Sequence, residues 1–265
     1  MNGLKNKIGP IALIGLALVG FYACSEDKED LPPSGERLSQ TELQTLMGAD
    51  ELSGVADDAI AALYNSHPAG KTATAVENEC YSAIYTDLGF VASFNNCFLN
   101  GSDSVNGTVT VTYAIGGGSA TFTASFEDFY VGTIKLVGTR TFSLAAGSDE
   151  NTGSFTVTSD MTAELEDGSI VGEKGSKTIT IGYDDQKQVL TFGLTGNWTV
   201  ESDGNTYSIE TLDTVQGDSG CEYLNKGSVL VSKNGLEVTV DFGNGDCDNK
   251  VTLIYPNGAQ VQLTL

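Results

Sequence analysis

Residues 236–242 read Leu-Glu-Val-Thr-Val-Asp-Phe, a strict alternation of apolar and polar residues. Successive side chains of a β-strand point to opposite faces, so one face of this segment is apolar and the other is polar. Asn234-Gly235 directly precedes it and can supply the positive φ angles that a tight hairpin turn requires. The segment is therefore predicted to be a strand of an antiparallel sheet with one face in water.

The same period of two recurs along most of the chain from about residue 83 onward. Turn pairs such as Asp167-Gly168 and Asn257-Gly258 separate the alternating segments, and glycine makes up 32 of the 265 residues. We therefore expect roughly a dozen short strands joined mostly by tight hairpins. No helix-length segment follows residue 100, which excludes a layout of alternating strands and helices. The predicted fold class is mainly β: a large twisted antiparallel meander sheet or a sandwich, with a short N-terminal α-helical segment.

The helical segment is predicted over residues 37–70. Ser39 and Glu42 are spaced for a capping box, in which each side chain accepts a hydrogen bond from the other residue's backbone N–H. Apolar residues then follow at the helical period of 3.6. Gly48 is expected to interrupt the helix, and the residues from Asn65 to Pro68 are expected to end it. An apolar stripe of this kind is typical of a helix that packs on a sheet.

The charge balance excludes two classes of partner. The chain has 13 Lys+Arg against 35 Asp+Glu, a formal net charge of −22. Binding to nucleic acid requires a basic surface that displaces counterions from phosphate, and adhesion to anionic lipid through basic side chains fails for the same reason. A hydrophobic content of 40% disfavours intrinsic disorder. We therefore expect a folded protein that has no nucleic-acid partner.

Residues 1–23 have the layout of a signal peptide. Lys5 and Lys7 precede an uncharged apolar stretch that is too short to span a bilayer comfortably. The apolar stretch ends at Cys24 and resembles a bacterial lipoprotein signal, which implies a covalent diacylglycerol and acyl lipid on this cysteine. The alternative is an ordinary secretory signal that contains a cysteine. Residues 24–36 are predicted to form an acidic tether with Pro, Ser and Gly, which like charges keep extended.

Four cysteines remain besides the one assigned to the lipid. An even number in the oxidising cell envelope favours disulfides, and four cysteines allow three pairings. The sequence-local pairing, Cys80 with Cys97 and Cys221 with Cys247, needs the shortest loop closures, and each closure would stabilise the fold by roughly 3 kcal/mol. No Cys-x-x-Cys pair is present, so a zinc site is disfavoured. The antiparallel β domain predicted over residues 71–265 is thus expected to hold two disulfides.

Three segments resemble Bacteroidetes-type surface lipoproteins. Residues 25–30, Ser-Glu-Asp-Lys-Glu-Asp, are similar to the surface-export signal of these lipoproteins. Residues 94–97 and 240–253 look like the cysteine-bearing hairpins of their Thr- and Gly-rich β-meanders. The resemblance implies that the protein is anchored to the outer membrane by its lipid and faces the cell exterior. It implies no particular activity.

No catalytic constellation emerges from the sequence, so the protein is predicted not to be an enzyme. His67 is the single histidine, it follows the predicted helix, and no Gly-x-Ser-x-Gly elbow is present. Glu127-Asp128, flanked by aromatic residues, is the most suggestive carboxylate pair for glycoside hydrolysis. Adjacent residues of a regular strand point to opposite faces, however, so the two carboxylates cannot enter one site together.

One turn near the C-terminus collects the oxygen ligands that calcium prefers. These residues are Asp241, Asn244, Asp246 and Asp248. Their spacing does not match an EF-hand, because Asn249 and Tyr255 occupy the positions of the required Gly and Glu. A hairpin turn pinned by a disulfide is the favoured alternative, and no other metal or cofactor is expected.

Two further segments resemble a three-residue O-glycosylation motif of the same bacterial group. They are Asp103-Ser104-Val105 and Asp213-Thr214-Val215, which make Ser104 and Thr214 the candidate acceptors. Modification would require each segment to lie in an exposed loop.

Three functions remain open at this stage. The first is a lipid-anchored envelope protein with a binding or structural role, whose partner is a glycan or a protein. The second is a hydrolase that acts on polysaccharide through paired carboxylates. The third is a carrier of an apolar or lipid ligand. A deep apolar groove between sheet and helix would favour the carrier, whereas two carboxylates converging in an aromatic-walled cleft would favour the hydrolase.

Overall fold

In the computed structural model, the described part of the chain comprises residues 37–66, 74–77, 80–98, 103–114, 120–146 and 152–265. This part contains two helices, α1 (Gln40–Gly54) and α2 (Asp57–Ser66), and fourteen strands. The strands are β1 (Thr74–Glu77), β2 (Tyr81–Thr86), β3 (Gly89–Phe98), β4 (Ser104–Tyr113), β5 (Ala120–Val131), β6 (Ile134–Ala146), β7 (Gly153–Glu164), β8 (Ile170–Asp184), β9 (Val189–Ser202), β10 (Asn205–Asp218), β11 (Lys226–Lys233), β12 (Leu236–Asn244), β13 (Lys250–Ile254) and β14 (Gln260–Thr264).

All fourteen strands belong to one open antiparallel sheet, in which each strand pairs with its neighbours in sequence. β1 and β14 form the two edges of this sheet. The predicted mainly β class with an N-terminal helical segment is confirmed. The expectation of short strands is wrong for the middle of the sheet, where β5 to β10 are 12 to 15 residues long.

Glycines inside the long strands explain this difference, because a glycine predicts a turn in the sequence but can also lie within a continuous strand. Gly175 in β8 has a φ angle of 141°, and a Cβ atom there would lie 2.4 Å from the Cα atom of Trp198 on β9. Gly138 in β6 has a φ angle of 125°, and its Cβ would lie 2.1 Å from the backbone oxygen of Asp160. Only glycine fits such positions, so these glycines allow the strands to continue.

The predicted capping box at the start of α1 is confirmed. The backbone N–H of Glu42 donates to Ser39 Oγ at 3.2 Å, and the backbone N–H of Ser39 donates to Glu42 Oε2 at 2.8 Å. Gly48 does not interrupt the helix as expected, since a glycine costs a helix only about 1 kcal/mol. The break falls instead at Val55 and Ala56, between α1 and α2. No helix in the described ranges is both long and apolar enough to cross a membrane.

The break allows the two helices to pack on different halves of the sheet. Leu43 and Leu46 of α1 share one buried cluster with apolar residues of β8 to β13. Ile60 and Leu63 of α2 share a second buried cluster with residues of β2 to β7. Both helices lie on the same face of the sheet, and the core consists of these two clusters side by side.

Candidate functional site

A row of apolar side chains crosses five strands on the face of the sheet that carries the helices. Residues facing each other on neighbouring strands make up this row, which we call the apolar row: Leu144, Phe155, Ile179, Leu194 and Val215 of β6 to β10. Paired strands lie ~4.8 Å apart, so the row extends roughly 19 Å across the sheet.

Part of this face is open to solvent although it carries the core. Leu144 lies two residues beyond the buried Phe142, hence on the same side of β6, yet it is 48% exposed. Ile181 pairs with Phe192 at the adjoining ends of β8 and β9, and Ile181 is 42% exposed. The next apolar residue on β9, Leu190, is 54% exposed. The helices therefore leave part of the apolar face uncovered along the ends of β6 to β9. We call this part, which includes Leu144, Ile181 and Leu190, the apolar strip.

Two grooves lie where the helices meet this strip. The α1 groove has a volume of about 350 Å³ and lies between helix α1 and strands β8 to β12. Leu46 and Met47 of α1 form one wall. Ile179, Leu194 and Trp198 belong to the opposite wall, which the sheet supplies. Trp198 is the single tryptophan of the chain, so it is a natural reporter of this groove.

The α2 groove has a volume of about 460 Å³ and lies between helix α2 and strands β4 to β7. Ile60 of α2 forms part of one wall, and Phe122, Phe142 and Phe155 belong to the wall on the sheet. The rings of Phe122 and Phe142 are stacked, with centroids 4.8 Å apart. Aromatic and aliphatic walls of this kind are suited to an apolar ligand.

A buried ionic cluster lies beneath the junction of the two helices. Arg140 Nε is 3.3 Å from Asp57 Oδ2, and Arg140 Nη1 is 3.9 Å from Glu173 Oε1. Lys177 Nζ donates to Glu173 Oε2 at 2.6 Å and lies 4.8 Å from the ring centre of Trp198. Lys177 lines the α1 groove and Asp57 lines the α2 groove. Two cations and two anions balance, so the cluster adds no net charge to the grooves.

A second polar contact attaches the first turn of α1 to strands β10 and β11. Lys233 of β11 donates to Glu42 Oε1, and Tyr207 Oη donates to the same oxygen at 2.7 Å. Burial alone would raise the pKa of the Glu42 carboxyl. Hydrogen bonds from Lys233, Ser39 and Tyr207 outweigh burial and lower this pKa to about 2. The contact fixes the helix that forms one wall of the α1 groove.

The predicted sequence-local disulfides are confirmed. Cys80 pairs with Cys97, with Cα atoms 4.7 Å apart, and Cys221 pairs with Cys247, with Cα atoms 5.6 Å apart. The first bond joins the start of β2 to the end of β3. The second joins the segment before β11 to the turn after β12. Neither disulfide lines either apolar groove.

The four calcium candidates do line one shallow cavity, together with Phe242 and Gly243. Asp241 Oδ1 accepts the backbone N–H of Gly243 at 2.8 Å, and Asp248 Oδ1 accepts that of Lys250 at 3.1 Å. These bonds are typical of turns. Within the described ranges, no group of three or more His, Cys, Asp or Glu residues is placed to hold a metal ion.

The two O-glycosylation candidates differ in accessibility. Ser104 is half-buried at the first position of β4, so it does not lie in an exposed loop. Thr214 is exposed in β10, at an irregularity where the pairing of β10 with β11 shifts register between Asp213 and Gln216. The exposure that modification requires is present at Thr214, and modification of either residue stays a prediction.

The suggestive carboxylate pair on β5 faces away from Phe126 and Phe129, whereas Tyr130 and Asp128 both contact Lys135. Phe126 and Phe129 are buried in the α2-side core, whereas Glu127 and Asp128 are exposed on the other side. Asp128 has a φ angle of 43° in a bulge, and Lys135 Nζ lies 3.5 Å from its Oδ1. The two phenylalanines therefore do not form the walls of a cleft around these carboxylates.

Cys24, its acidic tether and His67 lie outside the described residues, so the lipid anchor stays a prediction. A groove between sheet and helix was one of the open possibilities, but the sequence does not show where the grooves lie. The sequence feature that points to them is the apolar residues that continue to the ends of β8 and β9, such as Ile181 and Leu190. An alternating pattern shows which face is apolar, but not whether another element covers that face.

Comparisons of this chain with protein-family models, with curated proteins and with solved structures found no match.

Proposed function

We propose that this protein binds an apolar ligand in the grooves between its helices and its sheet. It would do so as a lipid-anchored carrier or binding protein of the cell envelope. The observation that carries the proposal is the apolar row, which stays partly exposed on the face that otherwise forms the core. Soluble proteins rarely expose contiguous apolar surface unless that surface binds something.

The chemistry of the walls favours an aliphatic chain. Burial of each methylene group of a ligand contributes about 0.8 kcal/mol, so a long acyl chain gains affinity with length. Lys177 and Asp57, the charged residues that line the grooves, are already engaged with Glu173 and Arg140. A charged head group would have to displace these partners, so we infer that the head group stays at the solvent end.

The proposed anchor fits this role. A lipid on Cys24 would hold the domain close to the membrane, where acyl chains are available. The twelve residues of the tether after Cys24 can extend to roughly 40 Å at most, which lets the domain move relative to the bilayer. We place the protein at the outer membrane, facing the cell exterior. We also propose that the long sheet is twisted and curves around its helices.

Quenching of Trp198 fluorescence by a dibrominated stearic acid tests the proposal directly, because bromine quenches tryptophan on contact. The sample is the chain from residue 24 onward with Cys24→Ser, purified without reductant. We expect saturable quenching that unlabelled stearic acid competes away. Ile181→Asp should weaken binding at least tenfold, whereas Ile84→Asp, at an exposed isoleucine of β2, should not. Absence of saturable quenching would overturn the proposal.

A further inference from the structure

A polar cleft adjoins the α1 groove at the ends of the central strands, where Phe192 and Gly193 line both. Its volume is about 610 Å³, and it spans the ends of β8, β9 and β10 next to β11 and β12. Gly182 of β8 alternates with Ile181 of the apolar strip, so Gly182 faces the other side of the sheet. Ligand sites of small molecules commonly have volumes of ~300–1,000 Å³, a range that includes this cleft.

Two glycines form the floor of the polar cleft. Gly182 pairs with Thr191 across β8 and β9, and Gly193 pairs with Gln216 across β9 and β10. A Cβ atom at Gly182 would lie 3.1 Å from Thr191 Oγ1, and a Cβ at Gly193 would lie 3.1 Å from Thr214 Cγ2. The missing side chains therefore create the depression, and the neighbouring polar side chains form its rim.

The most informative residue of the cleft is Asn225. It is only 7% exposed, and its backbone is fully used, because its N–H donates to Gln216 O and its O accepts from Gly245 N. Across the part of the chain that the structure describes, its side-chain amide makes no hydrogen bond. The amide atoms are not among the fully buried polar atoms that lack a partner, so the amide is open to the cleft, where it can donate to and accept from a ligand.

The other side chains of the cleft indicate which functional groups that ligand carries. Gln216 and Asn244 add two amides, and Thr191 and Thr214 add hydroxyl groups. Amides and hydroxyls both donate and accept hydrogen bonds, as do the hydroxyl groups of a sugar.

The charges along the cleft cancel. Asp184 and Asp218 oppose Lys187 and Lys226. Oδ1 of each aspartate also accepts backbone N–H groups of its own turn, from Gln186 and Lys187 at Asp184 and from Gly220 at Asp218. A strongly charged ligand therefore has no excess of opposite charge to bind.

We propose that the polar cleft binds a neutral oligosaccharide. Its polar side chains, such as those of Thr191 and Gln216, lie on the face opposite the apolar row, although Phe192 and Gly193 line both this cleft and the α1 groove. Asn225 and Gln216 bind adjacent sugar hydroxyl groups, and the glycine floor admits the ring between the threonine side chains.

Isothermal titration with neutral trisaccharides tests this site. The probes are α-1,4- and β-1,4-linked trisaccharides of glucose and β-1,4-linked trisaccharides of mannose and xylose. The sample is the chain from residue 24 onward with Cys24→Ser, and its intact mass establishes that Thr214 carries no sugar. We expect at least one trisaccharide to bind, with affinity at least tenfold lower in Gln216→Ala and unchanged in Gln260→Ala, at an exposed glutamine of β14.

Asn225→Ala and Gly182→Val are the second pair of variants, used after circular dichroism has established that both are folded. The first removes the Asn225 amide and the second fills the floor, so each should abolish binding. Retained acyl-chain quenching of Trp198 in all four variants would establish that the two sites are separate. The proposal is overturned if no trisaccharide binds at millimolar concentration, or if Gln216→Ala binds as well as the parent chain.

Discussion

Phe155 and Ile179 face each other across β7 and β8, and each lines a different groove. Phe155 belongs to the α2 groove and Ile179 to the α1 groove. The two cavities therefore adjoin at this pair, and the apolar row connects them without a charged residue. A chain longer than either groove could continue from one helix to the other, so we propose that the ligand uses the two grooves as one surface.

Leu144→Asp should weaken binding of the dibrominated acyl chain at least tenfold. The substitution puts a carboxylate into the α2 groove, and burying this charge against a ligand chain is strongly unfavourable. Val137→Asp is the matched control, because it lies on the same strand, faces the other side and is 49% exposed against 48% for Leu144. Equal effects of the two substitutions on Trp198 quenching would contradict a binding surface that reaches the α2 groove.

Glu42→Gln should destabilise the protein by about 1–2 kcal/mol at pH 7, because it removes the charge of the contact with Lys233, whereas a glutamine can keep the capping hydrogen bond. The folded-state pKa of Glu42 is about 2, below its ordinary value of 4.5. Its contribution is therefore fully present above pH 4.5 and is lost as the pH falls toward 2.

Urea unfolding of both proteins at a series of pH values measures this difference. The gap between the parent chain and Glu42→Gln should narrow between pH 4.5 and 2. Glu51→Gln, at an exposed position of the same helix, should change stability by less than ~0.5 kcal/mol at any pH. A gap that stays constant with pH would refute the role given to the Glu42 carboxylate.

Removing either disulfide should lower the free energy of unfolding by roughly 3 kcal/mol. The variants are Cys80→Ser with Cys97→Ser, and Cys221→Ser with Cys247→Ser. Reductant should lower the unfolding midpoint of each variant less than that of the parent chain, because one bond is already absent. If reductant leaves the parent midpoint unchanged, the disulfides do not contribute to stability.

Local rules account for the parts of the fold that could be predicted. The Ser39–Glu42 capping box depends on residues three apart, and the turn at Asn234-Gly235 depends on two adjacent positive φ angles, 51° and 85°. The disulfide pairing followed from short loop closure. Each of these interactions is contained within a short stretch of sequence, so the sequence alone specifies it.

The candidate site depends on contacts between distant residues and could not be predicted in the same way. Glu42 and Lys233 are 191 residues apart, and the Arg140–Asp57 contact joins α2 to β6. These contacts determine where the helices lie, and the position of the helices determines that Ile181 stays exposed. An alternating strand pattern is the same whether or not a helix covers its apolar face.

Gly175→Ala should destabilise the protein by about 3 kcal/mol or more. The positive φ of Gly175 disfavours any L side chain, and the added methyl group would lie 2.4 Å from the Cα of Trp198, where the backbone of β9 must move. Gly153→Ala on β7 is the control, because a Cβ there meets no heavy atom within 4 Å. It should change the free energy of unfolding by less than ~1 kcal/mol.

Chemical denaturation of both variants measures the difference, and the near-ultraviolet signal of Trp198 reports the expected disturbance of the α1 groove. A Gly175→Ala protein as stable as Gly153→Ala would mean that β8 and β9 do not approach as closely as this pairing requires.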